Sequence, residues 1–149
     1  MVCDVYQCKY DIMTLRERQD SFIEELALFD AWHEKFNLII DYSVLLPVVC
    51  PENILPFRIE NCQSRSYFKV EILDGCIYPN GWSNAGVMRG LIACVIKIFK
   101  GVPVSELKET NIDFHTKSDL INNLTPLRQA AILEIISRIN VLSTSKPTH

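Results

Sequence analysis

The chain of 149 residues is long enough for one folded domain, and its 48% hydrophobic and 22% charged residues are typical of a globular protein rather than of a disordered chain. A net charge of -3 offers no basic field to nucleic acid, and no apolar run reaches the length of a membrane span. We therefore expect neither nucleic acid nor a membrane among its partners.

Residues 1–13 carry charges at Asp4, Lys9 and Asp11 and so contain no continuous apolar segment of a secretory signal. We expect a flexible N-terminal extension there, in a protein that works in the cytoplasm. Cysteines in that reducing compartment are usually thiols. The sequence contains no C-x-x-C pair of the kind that would indicate a zinc ribbon. Thiols are accordingly expected at all six positions, which are Cys3, Cys8, Cys50, Cys62, Cys76 and Cys94.

Two amphipathic helices are predicted at the start of the fold. Apolar residues recur at helical spacing across residues 14–29 and again across 32–44, and Asp30 is available to cap the second helix. Three prolines within residues 47–56 then remove backbone donors. This segment is predicted to be an ordered loop.

Three strands are predicted next, because the apolar period changes from helical spacing to two. The segments 57–61, 67–72 and 76–83 form an antiparallel meander in this interpretation. The Asp-Gly pair at 74–75 is favoured in the tight turn between the last two strands. Pro79 lacks a backbone donor and places the third strand at an edge.

A long helix is predicted after the strands. Its apolar face extends across residues 87–99, either Ser83 or Asn84 can cap its start, and Gly101 terminates it. A short helix opened by proline is predicted across 103–110.

A final amphipathic helix begins at Thr125-Pro126 and ends before a polar tail at residues 143–149. The element order predicts a single α+β domain over residues 1–149. In it a small three-stranded antiparallel meander packs against helices.

Cys62 stands in the sequence ENCQSR between the first two predicted strands, with polar neighbours on both sides. The amides of Gln63 and Ser64, the Ser64 hydroxyl and the charge of Arg65 are candidates to stabilise a thiolate, the form that attacks sulfur. Judged on this loop alone, a spectator cysteine is an equally good interpretation.

The loop also resembles a known family. ENCQSR is similar to the G-C-Q-S active loop of SufE proteins, and four further segments match SufE motifs in one consistent order over roughly residues 21–142. These segments are WHEKF at 32–36, LP at 46–47, VMRGLIA at 87–93 and LTPLR at 124–128.

The resemblance implies a SufE/IscU-like fold and a sulfur acceptor that enhances the turnover of a cysteine desulfurase of the SufS type or a related one. Cys62 would take sulfane sulfur as a persulfide and pass it to an Fe–S assembly scaffold. Arg128 would stabilise the thiolate or persulfide. The resemblance implies no cofactor in this chain and no independent turnover, since the pyridoxal phosphate belongs to the desulfurase.

The chain departs from the family pattern at three places. Asn61 stands where a glycine is usual and would support the loop in its stead, Ser66-Tyr67 stands for Val-Trp, and Asn84 stands for a common aspartate. Asn tolerates positive φ better than most residues, so the loop is expected to survive the first change.

Two alternatives stay open at this point. If Cys50, Cys62 and Cys76 converge, the chain resembles an IscU-like zinc or Fe–S scaffold. A non-catalytic adaptor would use only its surface.

Overall fold

Helices surround one antiparallel hairpin in a computed structural model, which describes residues 13–60, 62 and 64–144. The α+β class predicted from the sequence is confirmed. The elements in chain order are helices α1 (Leu15–Ala27) and α2 (Trp32–Asp41), strands β1 (Ser66–Leu73) and β2 (Cys76–Ser83), and helices α3 (Gly86–Phe99), α4 (Val104–Glu109), α5 (Phe114–Lys117) and α6 (Pro126–Thr144).

Most of the predicted N-terminal extension and of the polar tail lies outside the described residues, as do Cys3, Cys8, Asn61 and Gln63. Helix α6 includes Ser143 and Thr144, which the sequence assigned to the tail. Among the described residues, no helix combines the length and the apolar character needed to cross a membrane.

The hairpin has the predicted turn but one strand fewer than predicted. Strands β1 and β2 pair from Ser66 opposite Ser83 to Leu73 opposite Cys76, and both turn residues have positive φ. In the described part of the chain the sheet has two strands. The prediction of a strand at 57–61, the first of the three in the predicted meander, is therefore wrong. That segment forms a single bridge, between Arg58 and Tyr67.

The 57–61 segment is bonded to β1 on one side and to α6 on the other. Toward β1, the Ile59 amide donates to the Ser66 carbonyl and the Phe57 carbonyl accepts from the Phe68 amide, the two bonds that make the bridge. On the outer side, where backbone groups alternate away from β1, the Glu60 amide donates to the Glu134 carboxylate and the Arg58 carbonyl accepts from the Arg138 guanidinium.

Helix α3 is the centre of the core and packs against β2, α2 and α1. It carries few charges, and most of its side chains are buried, as expected for a helix enclosed on several sides. A Cβ atom added at Gly81 of β2 would lie 2.6 Å from the Ile92 side chain, so the missing side chain lets sheet and helix approach closely.

The helices start close to the predicted positions, but the capping residues predicted for two of them do not cap. Thr14 and Glu17 form a capping box at α1. Helices α2 and α3 start without a side-chain cap, so the predicted caps at Asp30, Ser83 and Asn84 are wrong. The Asn84 side chain accepts from the Arg65 amide and is therefore used by the Cys62 loop.

Gly90 sets the distance between α2 and α3. A Cβ atom at this position would lie 2.3 Å from the Ile39 carbonyl oxygen, far inside van der Waals contact with a backbone atom. The substitution Gly90→Ala must therefore push the two helices apart, and we expect a loss of about 1–3 kcal/mol of unfolding free energy. Urea unfolding measures it.

Gly86→Ala is the matched control, because no atom lies within 4 Å of its added Cβ. It should leave the stability unchanged or raise it slightly. Equal effects of the two substitutions would contradict the assigned role of Gly90.

Candidate functional site

A pocket of about 520 Å³ opens where the Cys62 loop meets the first turns of two helices. Cys62 is half-buried in its wall. Eight residues line the pocket: Cys62, Ser64, Ala85, Met88, Thr125, Pro126, Leu127 and Arg128.

The Cys62 loop is closed by backbone hydrogen bonds at its base. The Ile59 amide donates to the Ser66 carbonyl over 2.8 Å. Arg65, the residue before Ser66, forms two hydrogen bonds with Asn84, each 3.1 Å long. The Arg65 amide donates to the Asn84 side-chain oxygen, and the backbone amide of Asn84 donates to the Arg65 carbonyl. The loop is thus attached to the segment between β2 and α3.

Helix α6 holds the residues before the loop through Arg138. Its guanidinium donates to the carbonyl oxygens of Phe57 at 3.1 Å, Phe68 at 2.6 Å and Arg58 at 2.6 Å, and it pairs with Glu134. Charge-assisted bonds of this kind are stronger than those between neutral groups. The helix that carries Arg128 is therefore locked against the strand that follows Cys62.

Serine hydroxyls surround the sulfur of Cys62. Its Sγ lies 3.0 Å from Ser64 Oγ and 3.3 Å from Ser66 Oγ. Ser66 donates in turn to Ser83 over 2.8 Å, and both of these serines are 0% exposed. The predicted contribution of the Ser64 hydroxyl has the geometry that it requires.

Sequence reasoning missed Ser66 and Ser83, although two signals were available. Ser66 has the same strand parity as Phe68 and Val70, the apolar face. A two-residue turn at 74–75 also places Ser66 directly opposite Ser83 when the register is counted outward.

The Arg65 guanidinium lies 5.6 Å from the centre of the Trp82 ring. Trp82 pairs with Tyr67, and side chains alternate along a strand, so this ring lies on the sheet face away from Ser66 and Ser83. The electrostatic role of Arg65 at Cys62 stays a prediction, whereas its backbone bonds to Asn84 hold the loop.

Arg128 occupies the first turn of α6 and lines the same pocket as Cys62. Within the described residues, no hydrogen bond or ion pair engages its guanidinium. Thr125 lies just before the helix, and its hydroxyl accepts from the Arg128 amide over 3.4 Å. The two residues that the family resemblance singled out thus face one cavity, with an unpaired cation on one side and a thiol on the other.

The other described cysteines lie in different environments. Cys50 packs beside Trp82 on the opposite sheet face, and burial raises the pKa of its thiol, partly offset by the charge of Arg65. Cys94 is 2% exposed inside α3, and burial raises the pKa of its thiol strongly. A raised pKa leaves a smaller fraction of reactive thiolate at neutral pH.

Cys76 lies at the far end of the hairpin, opposite Leu73, about 23 Å along the ladder from Ser66. It is disulfide-bonded, so the prediction of a thiol is wrong at this position. The suggested convergence of Cys50, Cys62 and Cys76 is also wrong, because the register and the two sheet faces separate them. Among the described residues, no three histidine, cysteine or acidic side chains are placed to hold a metal.

Comparisons with known proteins identify the family of the chain and agree with its fold. The family model described as "Fe-S metabolism associated domain", SufE, matches residues 20–142. A SufE-like protein of Rhizobium meliloti is 28% identical over 127 residues, which cover 80% of this chain and 90% of the relative. One of Rhizobium etli is 25% identical over 126 residues, covering 80% and 85%.

A hypothetical protein from Thermus thermophilus, solved in solution, has the same fold with a TM-score of 0.65. It is 17% identical, and the match covers 86% of this chain and 97% of that one. Fold and site define a small α+β domain that presents one half-buried cysteine at a pocket. The chain belongs to the SufE family, whose domain is associated with Fe–S metabolism.

The environments of the free thiols predict an order of reactivity. Under native conditions at about pH 7, iodoacetamide should modify Cys62 first, because two serine hydroxyls beside its sulfur can donate to a thiolate. Cys50 should react more slowly, because burial raises the pKa of its thiol, and Cys94 only after unfolding, because it is buried in the core. Peptide mass spectrometry over a time course measures the three rates. Faster modification of Cys50 than of Cys62 would contradict the assignment.

Proposed function

We propose that this protein is a sulfur acceptor and carrier. Cys62 takes sulfane sulfur as a persulfide from a cysteine desulfurase of the SufS type or a related one, and passes it to an Fe–S assembly scaffold. The observation that carries the proposal is the sulfur of Cys62 in a pocket with serine hydroxyls and with Arg128, whose guanidinium has no partner among the described residues. Membership in a family of Fe–S metabolism supports it.

The transfer is an exchange between two cysteine sulfurs. The Cys62 thiolate attacks the outer sulfur of the donor persulfide, a new S–S bond forms, and the old one breaks. Its electron pair leaves on the desulfurase cysteine, which takes up a proton. The sulfane sulfur keeps its oxidation state, so the step needs no external oxidant or reductant. The desulfurase's pyridoxal phosphate supplies the cleavage of the C–S bond.

The pocket suits the product of this exchange. The outer sulfur of a persulfide lies about 2 Å beyond Sγ, and the cavity has space for it. Met88 and Leu127 contribute apolar surface to its wall. Arg128 offers a cation to the anionic sulfur, and that anion offsets the cost of a positive charge in the first turn of a helix.

Intact mass spectrometry tests the acceptor role. After incubation with a cysteine desulfurase and cysteine, the wild type should gain about 32 Da per transferred sulfur atom, and a thiol reductant should reverse the gain. Cys62→Ser should abolish it, and Cys50→Ser is the matched control that should retain it. A gain that survives Cys62→Ser would contradict the proposal.

The same experiment separates a carrier from an adaptor. A carrier that lacks Cys62 should no longer accelerate desulfurase turnover. If Cys62→Ser stimulates the desulfurase as well as the wild type does, the chain acts through its surface and the carrier function is refuted.

Arg128→Gln tests the role of the cation. Loss of one charge-assisted contact should slow sulfur acceptance about tenfold, while Arg128→Lys should retain part of the rate. Lys108→Gln removes an exposed positive charge from α4 and serves as the control for net charge. Equal effects of the Arg128 and Lys108 variants would show that Arg128 has no specific part in the transfer.

A further inference from the structure

Two fully buried hydroxyls lie directly behind the reactive sulfur. Ser66 and Ser83 face each other across the hairpin, on the same sheet face as Phe68, and α3 covers that face. Buried hydroxyls are costly unless they are hydrogen-bonded, whereas an apolar pair of similar shape would pack about equally well. Packing alone therefore gives no reason for this pair.

Beyond the two serines themselves, the hydroxyl pair has three polar neighbours. Ser83 Oγ accepts from the Ala85 amide at 3.2 Å, immediately before α3, and Ser64 Oγ lies 2.9 Å from Ser66 Oγ and 3.4 Å from Ser83 Oγ. Cys62 Sγ completes the group, 3.3 Å from Ser66 Oγ. The hydroxyls thus connect a backbone amide to the reactive sulfur.

The hydrogens of this group have a consistent arrangement when Cys62 is a thiol. The S–H group donates to Ser64, Ser64 donates to Ser66, Ser66 donates to Ser83, and Ser83 donates to Ser64. Each of these four hydrogens then has an acceptor, as buried polar groups require.

A thiolate can only accept hydrogen bonds, and hydroxyls at the same heavy-atom positions can donate to it. The Ser64 and Ser66 hydroxyls rotate to donate to sulfur, Ser83 donates to Ser64, and the Ala85 amide continues to donate to Ser83. Hydrogen bonds to an anion are about twice as strong as those between neutral groups. Rotation of the hydroxyls alone is therefore enough to bring two donors to an anionic sulfur.

We propose that Ser66 is a positioning residue that stabilises the Cys62 thiolate, supported from behind by Ser83 and the Ala85 amide. The use of this thiolate in sulfur transfer rests on the proposed function. A stabilised thiolate serves both steps of that function, because it is the attacking species when sulfur arrives and the leaving group when sulfur departs. Ser66 stands where the SufE pattern carries valine, so it adjusts the reactivity of this chain rather than enabling it.

The test is the pH dependence of Cys62 alkylation by iodoacetamide, followed on its own peptide. Ser66→Val and Ser66→Thr are isosteric with each other and differ in the hydroxyl, and Ser66→Ala removes the hydroxyl without adding volume. At about pH 7 the Val and Ala variants should react about five to ten times more slowly, and the midpoint of the profile should move to higher pH. Ser66→Thr should behave as the wild type does.

A purely structural role for Ser66 gives a different result. It would change the plateau rate at high pH, or the urea unfolding midpoint, and leave the midpoint of the pH profile in place. Identical profiles for Ser66→Val and Ser66→Thr would overturn the proposal, and so would an unchanged midpoint in Ser66→Ala.

Persulfide formation measured in parallel separates this inference from the proposed function. If the profile moves as expected but the wild type gains no sulfur from the desulfurase, the carrier function fails and the role of Ser66 stands. If Cys62 gains sulfur and the Ser66 variants keep the wild-type profile, the carrier function stands and the role of Ser66 fails.

Discussion

The hydrogen bond from the Ile59 amide to the Ser66 carbonyl is the interaction on which the site depends. It closes the loop that carries Cys62 at the residue where β1 begins, and so it fixes the sulfur relative to the hairpin register. That register then brings Ser83 opposite Ser66, and the chain turns from Ser83 directly into α3. A sulfur held this way meets hydroxyls on one side and an open pocket on the other.

Helix α6 makes the second half of the site and is fastened to the first half by charge. Arg138 bonds three carbonyl oxygens of the sheet region, which removes the freedom of α6 to slide along β1. Because Arg128 lies on the same helix, its position relative to Cys62 follows from that attachment. One arginine is used for architecture, and the other is left unpaired at the pocket within the described residues.

The described cysteines differ in their surroundings, and these differences set how each sulfur can react. Cys94 is enclosed in the core, Cys50 is pressed against an aromatic cluster, and Cys76 is bonded at the distant hairpin turn. Cys62 alone among them combines a pocket with hydroxyl neighbours that can donate to an anion. A sulfur acceptor needs one such cysteine, whereas a metal scaffold needs several ligands close together, and the described cysteines do not converge.

Local patterns in the sequence were enough to predict the helices, the hairpin turn and the cysteine loop, because apolar periodicity, the Asp-Gly pair and the family motifs each lie within a short segment. The motifs also singled out Cys62 and Arg128, which are 66 residues apart in the chain and line one pocket in the structure. The bonds of Phe57, Arg58 and Glu60 to α6, beside a bridge to β1 where a full strand was predicted, became visible only in the folded chain. So did the position of Arg65 over Trp82 and the placement of Ser66 against the sulfur of Cys62. These features depend on which face of a strand meets which helix or loop, and the periodicity of a single segment does not specify that.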